Sequence, residues 1–128
     1  MQRILLIEDD MRIRNLIAML LKSFGHQVEV AEDGEEGIEI FERFGKFDLV
    51  ITDIHMPKKD GNQVAKYIRN SKRPETPIVA ITAYEGELQR DVFDFSLLKP
   101  FRNKALLRIL ESLSDEDATH GAQCSSCT

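Results

Sequence analysis

DLVITD, residues 48–53, is a short apolar run that stops on a carboxylate. A run of this kind between segments of helical periodicity reads as a strand buried on both faces of a parallel sheet. Three further runs have the same form. ILLI at 4–7 meets Glu8, Asp9 and Asp10, PIVAI at 77–81 meets the hydroxyl of Thr82, and SLL at 96–98 meets Lys99. Ligands of an open parallel sheet sit beyond the carboxyl ends of its strands. Such a sheet therefore gathers carboxylates, a hydroxyl and an ammonium at one rim. Carboxylates held close repel one another unless a cation joins them, so the pattern points to metal and phosphate chemistry.

The remaining elements fall around these runs. Residues 3–8 read as the first strand. Asp10 caps a helix whose apolar face is Ile13, Leu16, Ile17, Leu20, Leu21 and Phe24, and Gly25 ends it. HQVEVAE at 26–32 alternates polar and apolar, the signature of a half-exposed edge strand. Asp33 with Glu36 resembles a capping box; Ile38, Ile40, Phe41 and Phe44 supply the next helix, which Gly45 ends. After strand 47–53 comes the loop 55–61, then a helix carrying Val64, Ala65, Tyr67 and Ile68. Residues 73–77 break the chain before strand 78–82. In 83–94, Leu88, Val92 and Phe93 allow a short helix. Strand 95–99 leads to a last helix, about 101–113, with Phe101, Ala105, Leu106, Ile109, Leu110 and Leu113 inward.

Five strands alternating with five helices predict an α/β fold: a doubly wound, five-stranded parallel sheet with helices on both faces. With strand order 2-1-3-4-5, flavodoxin-like, the switch point lies between the first and third strands, beside Glu8, Asp9 and Asp53. Residues 1–113 form this domain and 114–128 are expected to be a flexible polar tail.

Composition narrows the function classes. At 128 residues the chain holds one core, and a net charge of −5 disfavours nucleic acid or an anionic membrane as partner. No stretch is long and apolar enough to span a bilayer, and the first strand starts too early to leave room for a leader. The two cysteines, Cys124 and Cys127, lie far from the core, so a cytoplasmic protein without disulfides is expected. With His120 they fall short of a full zinc set.

IEDD at 7–10, TDIHMPKKDG at 52–61, ITA at 81–83 and KPF at 99–101 together resemble the receiver domain of two-component response regulators (CheY-like). The resemblance runs in family order to about Leu113. It implies that Asp53 is the phosphoryl acceptor. Mg²⁺ would be held by Asp9, Asp53 and the backbone carbonyl of His55, with Glu8 acting through a bound water. Thr82 and Lys99 would contact phosphoryl oxygens. Phosphoryl transfer needs positioning and charge neutralisation more than covalent help, and these residue types supply both. Gly61 would let the chain turn tightly into the third helix, and Pro57 would stiffen the loop.

Two departures from the family stand out. The stretch from Thr82 to Lys99 is shorter than usual, so the fourth helix region is reduced. The switch position three residues before the lysine is Ser96, which has no ring to swing. The partner is then expected to read another surface, or a change of order in 83–95. The implied protein is a stand-alone receiver that catalyses only its own phosphorylation and dephosphorylation. Its donor is a histidine kinase or histidine phosphotransfer protein, met at Met11, Arg12, Asn15 and the loop Pro100-Phe101; the output protein is unknown. A phosphorylation-independent binding module and a phosphatase are the competing readings. His55 stands where such hydrolases carry a second acid.

Overall fold

The computed structural model describes residues 2–56, 58–84, 86 and 88–118, with side chains as far as Leu113. Pro57 and residues 119–128, with His120, Cys124 and Cys127, lie outside the described residues. The elements are β1 (Arg3–Ile7), α1 (Met11–Ser23), β2 (Gln27–Ala31), α2 (Gly34–Phe44), β3 (Leu49–Asp53), α3 (Gly61–Arg69), β4 (Ile78–Thr82), β5 (Phe95–Leu98) and α4 (Asn103–Ala118). All five strands pair in parallel in the order β2-β1-β3-β4-β5. The expected sheet and switch point are therefore present.

The apolar runs explain the order. β3 and β4 are buried at every position, while β2 is buried only at Ala31. A strand with alternating polar residues can sit only where one side meets water, so β2 takes an edge. Alternate strand residues feed two cores. Ile4, Leu6, Ile51 and Ile81 face α1 and α4; Leu5, Ile7, Val50 and Ile78 face α2 and α3. Burial of each such side chain stabilises the fold by about 1.5–3 kcal/mol. On α2, Gly37 lets the helix lie directly on β1, since a Cβ there would come within 2.4 Å of Ile7 Cδ1.

The helix ends follow local chemistry. The Asp10 carboxylate accepts from the amides of Arg12 and Ile13 and caps α1. Gly25 and Gly45 take φ of +91° and +82° just beyond α1 and α2. Asp33 caps α2 through the Glu36 amide, but the Glu36 carboxylate turns back to the amide of Glu32, so the box is offset by one residue. A complete capping box instead opens α3, between Asp60 and Gln63.

Three expectations change. Among the described residues there are four α-helices rather than five: the described residues of 83–94 form no α-helix, and Arg90–Val92 is a 3₁₀ turn. Side chains hold it in place of a helical ladder. Arg69 donates to the carbonyls of Val92, Pro74 and Thr76 and to the Asp94 carboxylate. Second, α4 continues past Leu113 to Ala118, because no glycine or proline interrupts the chain before Gly121. Third, Leu16 is 66% exposed. The buried face of α1 is Ile17, Ala18 and Leu21, and Leu16 sits about 100° round the helix from Ile17. Phe44 is also exposed, with the guanidinium groups of Arg3 and Arg43 over its ring.

Candidate functional site

β1 and β3 end side by side and deliver Glu8, Asp9 and Asp53 to the same point of the rim. One carboxylate oxygen from each lies within 4.8 Å of the others. Glu8 and Asp53 are buried and Asp9 is exposed. β5 contributes Lys99 just beyond Leu98. Its Nζ is 3.1 Å from Asp53 Oδ2 and 3.2 Å from Glu8 Oε1. The sequence therefore predicts a cluster that does assemble, from positions up to 91 residues apart.

Each acid is fixed separately. Asp53 Oδ1 accepts from the amide of Ile54 at 2.7 Å, which leaves Oδ2 to the ammonium. Glu8 Oε2 accepts from the amide of Asp10 at 3.1 Å. Arg14, which sequence reasoning passed over, donates to the Glu8 carbonyl at 3.0 Å and ties α1 to the end of β1. Beneath the acceptor, Gly61 packs against the strand: a Cβ there would lie 2.4 Å from the Asp53 carbonyl oxygen. Its φ is not positive, so the expected reason for glycine is replaced by another. Close approach, not a tight turn, demands it.

Burial governs the electrostatics. It pushes the Glu8 carboxyl up to about 7, with the Asp53 charge adding to the effect and the Asp10 amide and Lys99 opposing it. For Lys99 burial acts downward, but the hydrogen bond and charge of Asp53, followed by Glu8, outweigh it and raise the ammonium above its ordinary value. Two carboxylates share one ammonium, so the cluster retains negative charge that a second cation can meet. The donors are hard oxygens, and exposed Asp9 leaves the rim open to water. Such a set fits a divalent ion of the Mg²⁺ type, which binds few carboxylates and keeps waters.

Thr82 is fully buried at the end of β4. Its hydroxyl donates to the carbonyl of Tyr84 at 3.0 Å and accepts from the amide of the same residue at 3.1 Å. His55 is exposed two residues beyond Asp53. Ser96 is half-buried on β5, paired with Ala80; neighbouring Phe95 packs on the α1/α4 core and Phe93 on the opposite one. Asn62, a second residue without a sequence signal, is buried on α3 and accepts from the amide of Gln89 at 3.0 Å. Beside Lys99, a largely apolar cavity of about 810 Å³ runs between α1 and the start of α4, lined by Ile13, Leu16, Leu20, Ala83, Pro100 and Phe101 among others. No helix among the described residues is long and apolar enough to cross a membrane.

A family model described as the response regulator receiver domain matches residues 4–111. Among solved structures, the chain is similar to response regulator TrrA of Thermotoga maritima in complex with Mg²⁺-BeF, at 35% identity and a TM-score of 0.80, with 88% of this chain and 99% of that one covered. It is also similar to the receiver domain of the sensor histidine kinase PA1611 of Pseudomonas aeruginosa, which carries a magnesium ion in its active-site cleft. There identity is 30%, the TM-score is 0.79, and 88% and 96% of the two chains are covered. Among curated proteins, the transcriptional regulatory protein CpxR of Escherichia coli is 33% identical over 118 residues, 88% of this chain and 49% of that protein. The chain thus spans about half the length of this relative.

Proposed function

Because the chain belongs to the response regulator receiver domain family of two-component signalling, we propose that Asp53 accepts a phosphoryl group from a phosphohistidine donor in a Mg²⁺-dependent reaction. The observation that carries this reading is the contact of Lys99 Nζ with both Asp53 and Glu8. An Asp53 oxygen bonds to phosphorus as the donor's P–N bond breaks, and the imidazole leaves with the electron pair. Asp53 Oδ1 stays oriented by the Ile54 amide, and Lys99 offsets charge that gathers on the transferring group. Asp9, Asp53 and the backbone carbonyl of His55 would hold Mg²⁺, with Glu8 acting through a bound water, and the ion would supply the remaining charge neutralisation. Thr82 trades its bond to the Tyr84 carbonyl for a phosphoryl oxygen. The chain acts only on its own phosphoryl group.

The donor is a histidine kinase or a histidine phosphotransfer protein. Its docking face is α1 around Met11, Arg12 and Asn15 with Pro100-Phe101. The neighbouring apolar cavity and the exposed Met11 and Leu16 support that placement. A cytoplasmic setting goes with such a donor. Output passes through protein contact or phosphate relay, and Ser96 places it outside the usual aromatic switch.

The lack of an α-helix among the described residues of 83–94 favours a second reading, a binding module that ignores phosphate. Incubation with Mg²⁺ and acetyl phosphate separates the two. The switch predicts a hydroxylamine-labile mass increase that Asp53→Asn removes. No adduct supports the binding module, and rapid multiple turnover points to a phosphatase.

A further inference from the structure

We propose that the first turn of α2 is a positioning element for the cation site, with Gly34 and Lys58 setting the course of the loop after Asp53. The inference rests on the Mg²⁺ reading above. That loop leaves β3 at Ile54 and enters α3 at Gly61, and its far end lies on α2. A Cβ on Gly34 would stand 2.0 Å from the carbonyl oxygen of Lys59 and 2.9 Å from Lys59 Cβ. No side chain fits in that space. Gly34 does not adopt a positive φ, so the requirement is contact with the Lys59 backbone, not conformational freedom.

One residue earlier, Lys58 takes a φ of 69°, a left-handed value costly for a residue with a Cβ. Its Nζ reaches Asp33 Oδ2 at 3.6 Å and Glu35 Oε1 at 3.9 Å. Asp33 is buried, and its other oxygen caps α2 through the Glu36 amide at 2.7 Å. Lys58 therefore reaches the capping carboxylate itself. The near end of the loop is held equally closely, by Gly61 against the Asp53 carbonyl and by the Gly61 amide donating to Ile54 O at 2.9 Å. His55 lies between two glycine contacts, and Mg²⁺ demands near-ideal octahedral geometry. A loop lifted from α2 would misplace the carbonyl ligand while leaving the carboxylates where the strands put them. The ion pairs are long and their Lys58 partner is exposed, so they form the weaker half of the bracket, and the backbone contact at Gly34 the stronger.

The test is calorimetric titration of the full chain with Mg²⁺, together with hydrogen exchange over 55–60 in Mg²⁺-free protein. Gly34→Ala is expected to weaken Mg²⁺ binding about tenfold, the lower end of the loss seen when outer supports of a metal site are removed, and Lys58→Met measurably but by less. Lys58→Arg should restore wild-type affinity. Exchange in 55–60 should rise in Gly34→Ala and Lys58→Met. Ile40→Val, on the buried face of α2 beyond its first turn, should lower Tm and leave Mg²⁺ affinity unchanged. Loss of a positive charge by itself would tighten cation binding, so unchanged or tighter binding in Lys58→Met overturns the proposal. Equal weakening by Ile40→Val overturns it too. If Gly34→Ala does not fold, the two Lys58 variants decide. If the wild-type chain binds no Mg²⁺, the proposed function fails, and the exchange data still judge the bracket: unchanged protection in the variants rejects it.

Discussion

The loop after Asp53 and the segment after Thr82 both leave the carboxyl end of a buried strand, yet they are held by opposite means. The first is pinned by backbone at both ends, where Gly61 meets the Asp53 carbonyl and Gly34 meets Lys59. The second is held mainly by side chains (Thr82 on Tyr84, Asn62 on Gln89, Arg69 on Val92 and Asp94), with a backbone bond from the Asp94 amide to Ile78 at its end. Glycine contacts admit one arrangement, because adding a single carbon breaks them. Side-chain hydrogen bonds each contribute about 1 kcal/mol net and can be exchanged for others. The molecule is therefore stiff where an ion would be coordinated and exchangeable where a signal would be read.

The largest expected effect tests the stiff side. Lys99→Ala should slow phosphoryl transfer from acetyl phosphate by about a hundredfold or more, the usual loss when a charge-stabilising group is removed. It should not weaken Mg²⁺ binding, since the ammonium competes with the ion for Glu8 and Asp53. Parallel losses of transfer and of Mg²⁺ affinity would mean that Lys99 is only a structural strut.

Next is the exchangeable side. Arg69→Met removes four hydrogen bonds from a half-buried side chain. It should cost about 2 kcal/mol in urea unfolding and raise hydrogen exchange in 89–94 while sparing the loop 55–60. Equal loosening of both regions would erase the contrast between them.

A smaller effect comes from pH. The folded Glu8 carboxyl titrates near 7, against 4.5 in its ordinary state. The unfolded chain thus releases this proton first, and the Glu8 contribution to stability falls as pH rises from about 4.5 to about 7, then stays level. Ionised Glu8 favours a cation, so Mg²⁺ affinity should climb about tenfold between about pH 6 and about pH 8. A flat titration would show that Glu8 is already ionised beside Lys99. The smallest effect is local: Thr82→Ala should raise exchange at the Tyr84 amide a few-fold and Thr82→Ser should not.

Most of the site could be read from the chain because strand ends translate directly into positions. Glu8, Asp53 and Lys99 each close an apolar run, and parallel strands bring their carboxyl-terminal residues to one rim. The edge position of β2 was equally open, since alternation in 26–32 admits no buried strand. What the sequence hid depends on contacts between distant segments. Arg69 looks like an ordinary helix-end cation until it meets Asp94, and Asn62 has no signal before Gln89 arrives. Leu16 counts toward an apolar face by spacing, yet a shift of one residue in the face's centre leaves it in solvent. Gly61 was picked out, but its reason was a neighbour's carbonyl rather than its own torsion. α4 runs on to Ala118 because 114–118 holds no helix breaker, although its polar composition is that of a tail.

With its ammonium bridging two carboxylates, Lys99 already serves as a resident counter-ion, so a divalent ion entering the cluster would share or contest Glu8 and Asp53 with it. Occupancy becomes a contest between two cations. A lysine loosened in that contest would be free to turn toward the next negative group that enters.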